Sequence, residues 1–147
     1  MTPQFIRNMI LNYLNLMDKE YAYEGGVIKV KEKVGDVSFT VYIKFSGKWV
    51  QVFAVGPSIS DLDKETKLKV LEKLLELNAT TFEVKYSVQD DTIIMSAESN
   101  IYALTFDNFY LEYGSVPFGY KQLIAEVLPI MSKQKTEEQE SESNNQQ

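Results

Sequence analysis

The side chains able to do chemistry are few. Cysteine and histidine are both absent. That removes disulfides, zinc–thiolate centres and nucleophile systems built on Cys or His. It also removes the commonest general base. An enzyme made from this inventory would have to run on Asp, Glu, Lys, Tyr or Ser. Asp90-Asp91 offers paired carboxylates, but the pair lies between two alternating apolar runs and reads as a hairpin turn, since Asp tolerates the left-handed region. Asp61-Leu62-Asp63-Lys64-Glu65, with Glu72 in the twelfth place, has the outline of a calcium loop. Thr66 stands at the sixth place, where the sharp turn needs Gly; acidic residues opening a helix explain the segment better. Asn78-Ala79-Thr80 fits the glycosylation pattern without a secretory signal, so Asn78 reads as a helix-ending residue. The sequence predicts no catalytic residue, no metal site and no cofactor.

What remains is binding chemistry. Lys29, Lys31, Lys33 and Lys44 interleave with Tyr42, Trp49 and Phe53 over Val27–Val55, and this stretch reads as a three-stranded antiparallel meander. Gly35-Asp36 and Ser46-Gly47 are two-residue turn signals between alternating runs. They predict Val34 opposite Val37, Val30 opposite Val41 and Ile28 opposite Ile43. On the next hairpin they predict Ile43 opposite Val50, Val41 opposite Val52, Phe39 opposite Ala54, Tyr42 opposite Gln51 and Lys44 opposite Trp49. One face is then apolar, with Glu32 its misfit. The other face carries the lysines and an apolar strip of Tyr42, Trp49 and Phe53. Either a helix or loop of the same chain covers that strip, or it contacts a second chain or a ligand. The helices already have the Ile28–Val41–Val52 face to cover, which favours a partner surface.

The elements around the meander follow from periodicity. Thr2 caps a helix from Pro3 to about Tyr21, with Phe5, Ile6, Met9, Ile10, Tyr13 and Leu14 at helical spacing. Gly25-Gly26 leads into the meander. A second helix runs from about Asp61 to Leu77, with Ser60 as its cap and a leucine stripe broader than one seam. A hairpin around Asp90-Asp91 pairs Val88 with Ile93, Tyr86 with Met95 and Val84 with Ala97, and turns Glu83, Lys85, Ser87, Ser96 and Glu98 outward. Thr105 caps a helix over Phe106–Tyr113. Gly114 and Pro117 interrupt it, and a last helix covers about Pro117–Met131, the two being separate or one kinked helix. Tyr110, Tyr113, Phe118 and Tyr120 surround the break and read as aromatic packing at a junction.

The 147 residues suit one α+β domain over 1–133, with a disordered acidic and polar tail over 134–147. Thr136–Gln147 holds four glutamates and no basic residue. No run of eighteen apolar residues and no signal-peptide pattern is present, which gives the expectation of a cytoplasmic protein without a membrane span.

A resemblance appears in Leu71-Glu-Lys-Leu-Leu-Glu-Leu-Asn78 followed by Phe82-Glu-Val-Lys-Tyr-Ser-Val-Gln-Asp-Asp-Thr-Ile-Ile-Met-Ser-Ala-Glu98. This block resembles the YbjN family, and the order α-β-β-β-α-β-β-α is similar to the type III secretion chaperone-like fold. The likeness of sequence covers about residues 68–109. The resemblance implies helices packed on an antiparallel sheet, homodimers and non-catalytic partner binding, and it supplies no catalytic residue. The unusually aromatic meander and the Gly114–Pro117 break depart from it.

The function expected is therefore a non-enzymatic protein-interaction module, a dimeric chaperone-like adaptor that holds a segment of another protein. Its partner-binding residues would be Tyr42, Trp49, Phe53, Lys29, Lys31 and Lys44, and its dimer interface Leu68, Leu71 and Leu75. The alternative is single-stranded nucleic-acid binding on the Lys/aromatic face. A net charge of −6 and a single arginine, Arg7, weigh against it.

Overall fold

A computed structural model describes residues 2–146. Six strands form one antiparallel sheet: β1 (Tyr21–Glu24), β2 (Val27–Val34), β3 (Val37–Ser46), β4 (Trp49–Ser58), β5 (Lys85–Gln89) and β6 (Thr92–Asn100). Their order across the sheet is β1-β2-β3-β4-β6-β5. The helices are α1 (Pro3–Leu16), α2 (Lys64–Thr80), α3 (Phe106–Gln122) and α4 (Leu128–Asn144). The architecture is α+β, as expected, with one more strand and one more helix.

The extra strand is β1. The first helix stops at Leu16 rather than Tyr21, because Asp18 takes φ 53° and turns the chain. The N–H of Asp18 then reaches the Asn15 carbonyl and that of Lys19 reaches Leu14, the pair of bonds that closes a helix in a Schellman motif. Gly25 and Gly26 both have positive φ and join β1 to β2 in a two-residue hairpin.

The predicted β2–β3 register holds, with Ile28 opposite Ile43, Val30 opposite Val41 and Val34 opposite Val37. The β3–β4 register is shifted by two residues from the expectation: Val41 lies opposite Ala54, Ile43 opposite Val52, and Ser46 opposite Trp49. The turn is Gly47-Lys48, not Ser46-Gly47. Gly47 has φ 59° at the first central position, where a II′ turn requires glycine. A slip of two keeps each side chain on its face, so the division into two faces survives. In the β5–β6 hairpin, Val88 pairs with Ile93 and Tyr86 with Met95, and the turn residues Asp90 and Asp91 have φ 49° and 58°. Val84 lies just outside β5.

α2 begins three residues later than expected, with Asp63 as its cap; the Asp63 carboxylate accepts from the Thr66 N–H at 2.7 Å. α3 runs through Gly114 and Pro117 without a break. The irregularity comes later, in a π turn over Leu123–Val127 just before Pro129. Pro129 has no N–H to offer the carbonyl four residues back, and the N–H of Leu128 instead reaches five residues back to Leu123. α4 continues to Asn144, and none of its described residues beyond Gln134 is buried.

The core lies on one face of the sheet. Ile28, Val30, Val41, Ile43, Val50, Val52, Ala54, Ile93 and Met95 are buried there with Ile10 and Leu14 of α1, Val70 and Leu74 of α2, and Phe109, Tyr113 and Val116 of α3. Glu32, the misfit on this face, is satisfied: the Tyr113 hydroxyl donates to it at 2.6 Å, and Lys19 pairs with the same oxygen at 2.9 Å. Burial and that carboxylate hold the Tyr113 hydroxyl well above its ordinary pKa.

Candidate functional site

No strand residue on the opposite face is buried. All the buried helix residues belong to the other side, so this face is open. It is wider than a meander alone would give, because β6 pairs with β4. That contact joins residues distant in the chain, and no local signal in the sequence announces it.

Pairing fixes who sits beside whom. One row across the sheet runs Ala22, Lys29, Tyr42, Phe53, Ser96, Lys85. Tyr42 and Phe53 are direct neighbours, and their rings stack with centroids 5.2 Å apart. The expectation of Tyr42 opposite Gln51 and Lys44 opposite Trp49 is corrected by the two-residue shift, which sets Tyr42 beside Phe53 and moves Trp49 from the row next to Tyr42 to the second row away. The next row holds Val27, Lys44, Gln51 and Glu98, and the one beyond it Ser46, Trp49 and Asn100. Trp49 is 49% exposed. On the other flank Val55 lies opposite Ile94, which lies opposite Ser87. Ile94 and Val55 extend the apolar strip, and Ile94 was not among the expected site residues.

The charges on this face are uneven. Lys29 pairs with Glu24 at 3.1 Å, and Lys85 with Glu98 at 2.6 Å. Lys31 stands 4.0 Å from Glu20, with both groups almost fully in water. Among the described residues Lys33 and Lys44 have no ion pair. Beside Phe53 and Ile94 a shallow depression of about 350 Å³ is walled by Lys44, Lys85 and Glu98.

The three leucines expected at a dimer contact fall on α2. Leu68 and Leu75 are exposed, at 57% and 68%, whereas Leu71 is half-buried against the core. Phe82, just beyond the helix, is 89% exposed.

The acidic motifs take structural parts. Asp91 accepts from Lys67 of α2 at 2.8 Å and gives its carbonyl to the Ile59 N–H at 2.7 Å. Asp63 caps α2. Among the described residues, no group of three or more acidic side chains is arranged to hold a metal ion, and no helix is long and apolar enough to cross a membrane. One carboxyl is out of place: Oε2 of Glu112 on α3 is buried without a partner. Burial first, then the charges of Glu83 and Glu98, push Glu112 up to about 7.

No protein-family model matches the sequence, and no curated protein matches it. Solved structures do match in fold. YbjN from E. coli superposes with a TM-score of 0.58 at 15% identity, covering 86% of this chain and 92% of that one. A chain of the heterodimeric ExoU–SpcU complex from the type III secretion system of Pseudomonas aeruginosa gives 0.58 at 15% identity, covering 80% and 97%. A chain of the HopA1–SchA chaperone–effector complex gives 0.57 at 6% identity, covering 79% and 91%. The fold is YbjN-like and type III secretion chaperone-like, as the resemblance in sequence implied.

Proposed function

We propose that this chain is a non-catalytic protein-binding module whose open sheet face docks a segment of another protein. The observation that carries the reading is the Tyr42–Phe53 stack, with Trp49 two rows along the same face, a face that no helix of the chain covers. Uncovered apolar area costs about 25 cal/mol per Å² against water, and a partner segment would remove it. Structural neighbours solved as a chaperone–effector complex and as a heterodimeric complex support the same reading. Tyr42, Phe53 and Trp49 would supply the contact area, and Lys29, Lys31 and Lys44 the rim.

We also propose that the chain acts in the cytoplasm as a homodimer. Leu68 and Leu75 on the outer side of α2, with Phe82 near its end, form the exposed apolar surface that a symmetric contact would cover.

Capture of partners from the source cell, with nuclease added to half the sample, tests the reading. Protein partners should survive nuclease and be lost with Tyr42→Ala/Phe53→Ala. Loss of all bound material on nuclease treatment would favour nucleic acid instead. Sedimentation at tens of micromolar, roughly where a biological dimer should hold, should give a dimer that Leu68→Glu/Leu75→Glu dissociates.

A further inference from the structure

Within a chain of net charge −6, the open face is positive. Its strands present Lys29, Lys31, Lys33, Lys44 and Lys85 against Glu24 and Glu98, a net of +3. Both glutamates are already occupied, each by a lysine within 3.1 Å. The charge left over is cationic: among the described residues Lys33 and Lys44 have no ion pair, and Lys31 has only Glu20, 4.0 Å away with both groups in water. Lys44 sits in the row between the Tyr42–Phe53 stack and Trp49, so its ammonium stands beside the apolar strip. Lys31 and Lys33 follow Lys29 along β2, one residue in two, at about 6.7 Å intervals.

We infer that the segment docked on this face is acidic, with carboxylates placed to meet Lys44 and the Lys31–Lys33 row and apolar side chains that cover Tyr42, Phe53 and Trp49. This inference rests on the reading of the open face as a docking surface and adds the chemistry of its occupant. Charge complementarity supplies the selection. The face attracts carboxylates, whereas the rest of the molecule, at a net of about −9 without these residues, repels them and confines the segment to this one surface.

A protein segment fits better than a nucleic-acid strand. Tyr42 and Phe53 stack on each other and do not stand apart as separate platforms for successive bases. The only arginine, Arg7, lies off the face, where it contacts Tyr23. Glu24 and Glu98 at the two margins oppose a phosphate backbone that crosses the sheet.

Trp49 is the only tryptophan, so its emission reports on this face alone. The full chain is titrated with three probes: a peptide of about ten residues alternating Glu with Leu or Tyr, the same peptide with Lys for Glu, and an oligothymidine of similar length. The expected result is a shift of Trp49 emission with the glutamate peptide only, weakened several-fold by raising salt to physiological strength. Lys31→Glu/Lys44→Glu, both exposed, should weaken that binding about tenfold. Lys69→Glu on α2 should leave it unchanged, and both variants should melt near wild type. Equal binding of the lysine peptide, or no effect of salt and charge reversal, overturns the acidic occupant and leaves the docking face standing. Binding of the oligothymidine alone replaces a protein segment with nucleic acid. No response to any probe also overturns the inference, and the loss or survival of natural partners with Tyr42→Ala/Phe53→Ala then decides the docking face separately.

Discussion

Asn78, on α2, closes the free edge of β5 at Tyr86. Its side-chain amide donates to the Tyr86 carbonyl at 3.0 Å, and its oxygen accepts from the Tyr86 N–H at 2.7 Å. A side-chain amide carries the donor and acceptor of a peptide group, so Asn78 stands where the backbone of another strand would pair. The sheet's edge is blunted at the second residue of β5. The sequence reading of Asn78 as a helix-ending residue missed this, since α2 runs on to Thr80.

Asn78→Ala should therefore do two things. Two backbone groups lose their partner, which should cost about 1–3 kcal/mol in denaturant unfolding. The reopened edge should also raise self-association, read by sedimentation as species larger than those of the wild type.

At Gly119, α3 packs tightly against Val84 and Tyr86. A Cβ there would lie 2.8 Å from Cγ2 of Val84, and the Gly119 carbonyl accepts from the Tyr86 hydroxyl at 2.9 Å. Gly119→Ala should push the helix off and lower stability by about 1–3 kcal/mol. Tyr86→Phe, which keeps the ring and removes the hydroxyl that bonds the Gly119 carbonyl and, at 2.8 Å, Oε1 of Gln122, should cost about 1–2 kcal/mol.

Glu112 should make stability depend on pH. Its pKa rises from the ordinary 4.5 to about 7 in the folded chain, first because of burial and then because of Glu83 and Glu98. The folded state thus holds a proton that the unfolded state releases, and stability should fall as pH rises from about 4.5 to about 7. Glu112→Gln should remove that slope and raise stability at pH 8 by about 1 kcal/mol, less than the full shift would give because part of the side chain meets water. Thermal midpoints of both proteins at pH 5 and pH 8 measure the difference.

The terminal segment is the least held. Residues 135–146 are all exposed, and composition predicts a solvated tail. Deleting Thr136–Gln147 should change stability by less than about 0.5 kcal/mol. A larger loss would show that the Gln134–Glu138 hydrogen bond, at 2.8 Å, matters more than exposure suggests.

Much of this was legible in the chain itself. Alternation and turn glycines gave the two faces of the meander, the β2–β3 register and the Asp90-Asp91 turn. The pairing of β4 with β6 was not legible, because nothing local encodes a contact between residues about 45 positions apart. β1 left a readable mark in Gly25-Gly26, but Asp18, where glycine is usual, hid the end of the first helix. Gly114 and Pro117 looked like breakers, but tertiary packing carries α3 through them. The aromatic strip was visible as residue types; the ring-on-ring contact of Tyr42 with Phe53 needed the true register.

The central claim is that the open face belongs to a partner. The most direct test unfolds Trp49→Ala and measures its partner capture on the same preparation. A half-exposed tryptophan on an uncovered face should cost less than about 1.5 kcal/mol of stability, and capture of protein partners from nuclease-treated extract should be lost. A loss of about 3–5 kcal/mol, as for a core aromatic, or undiminished capture by a fully folded variant, would contradict the account.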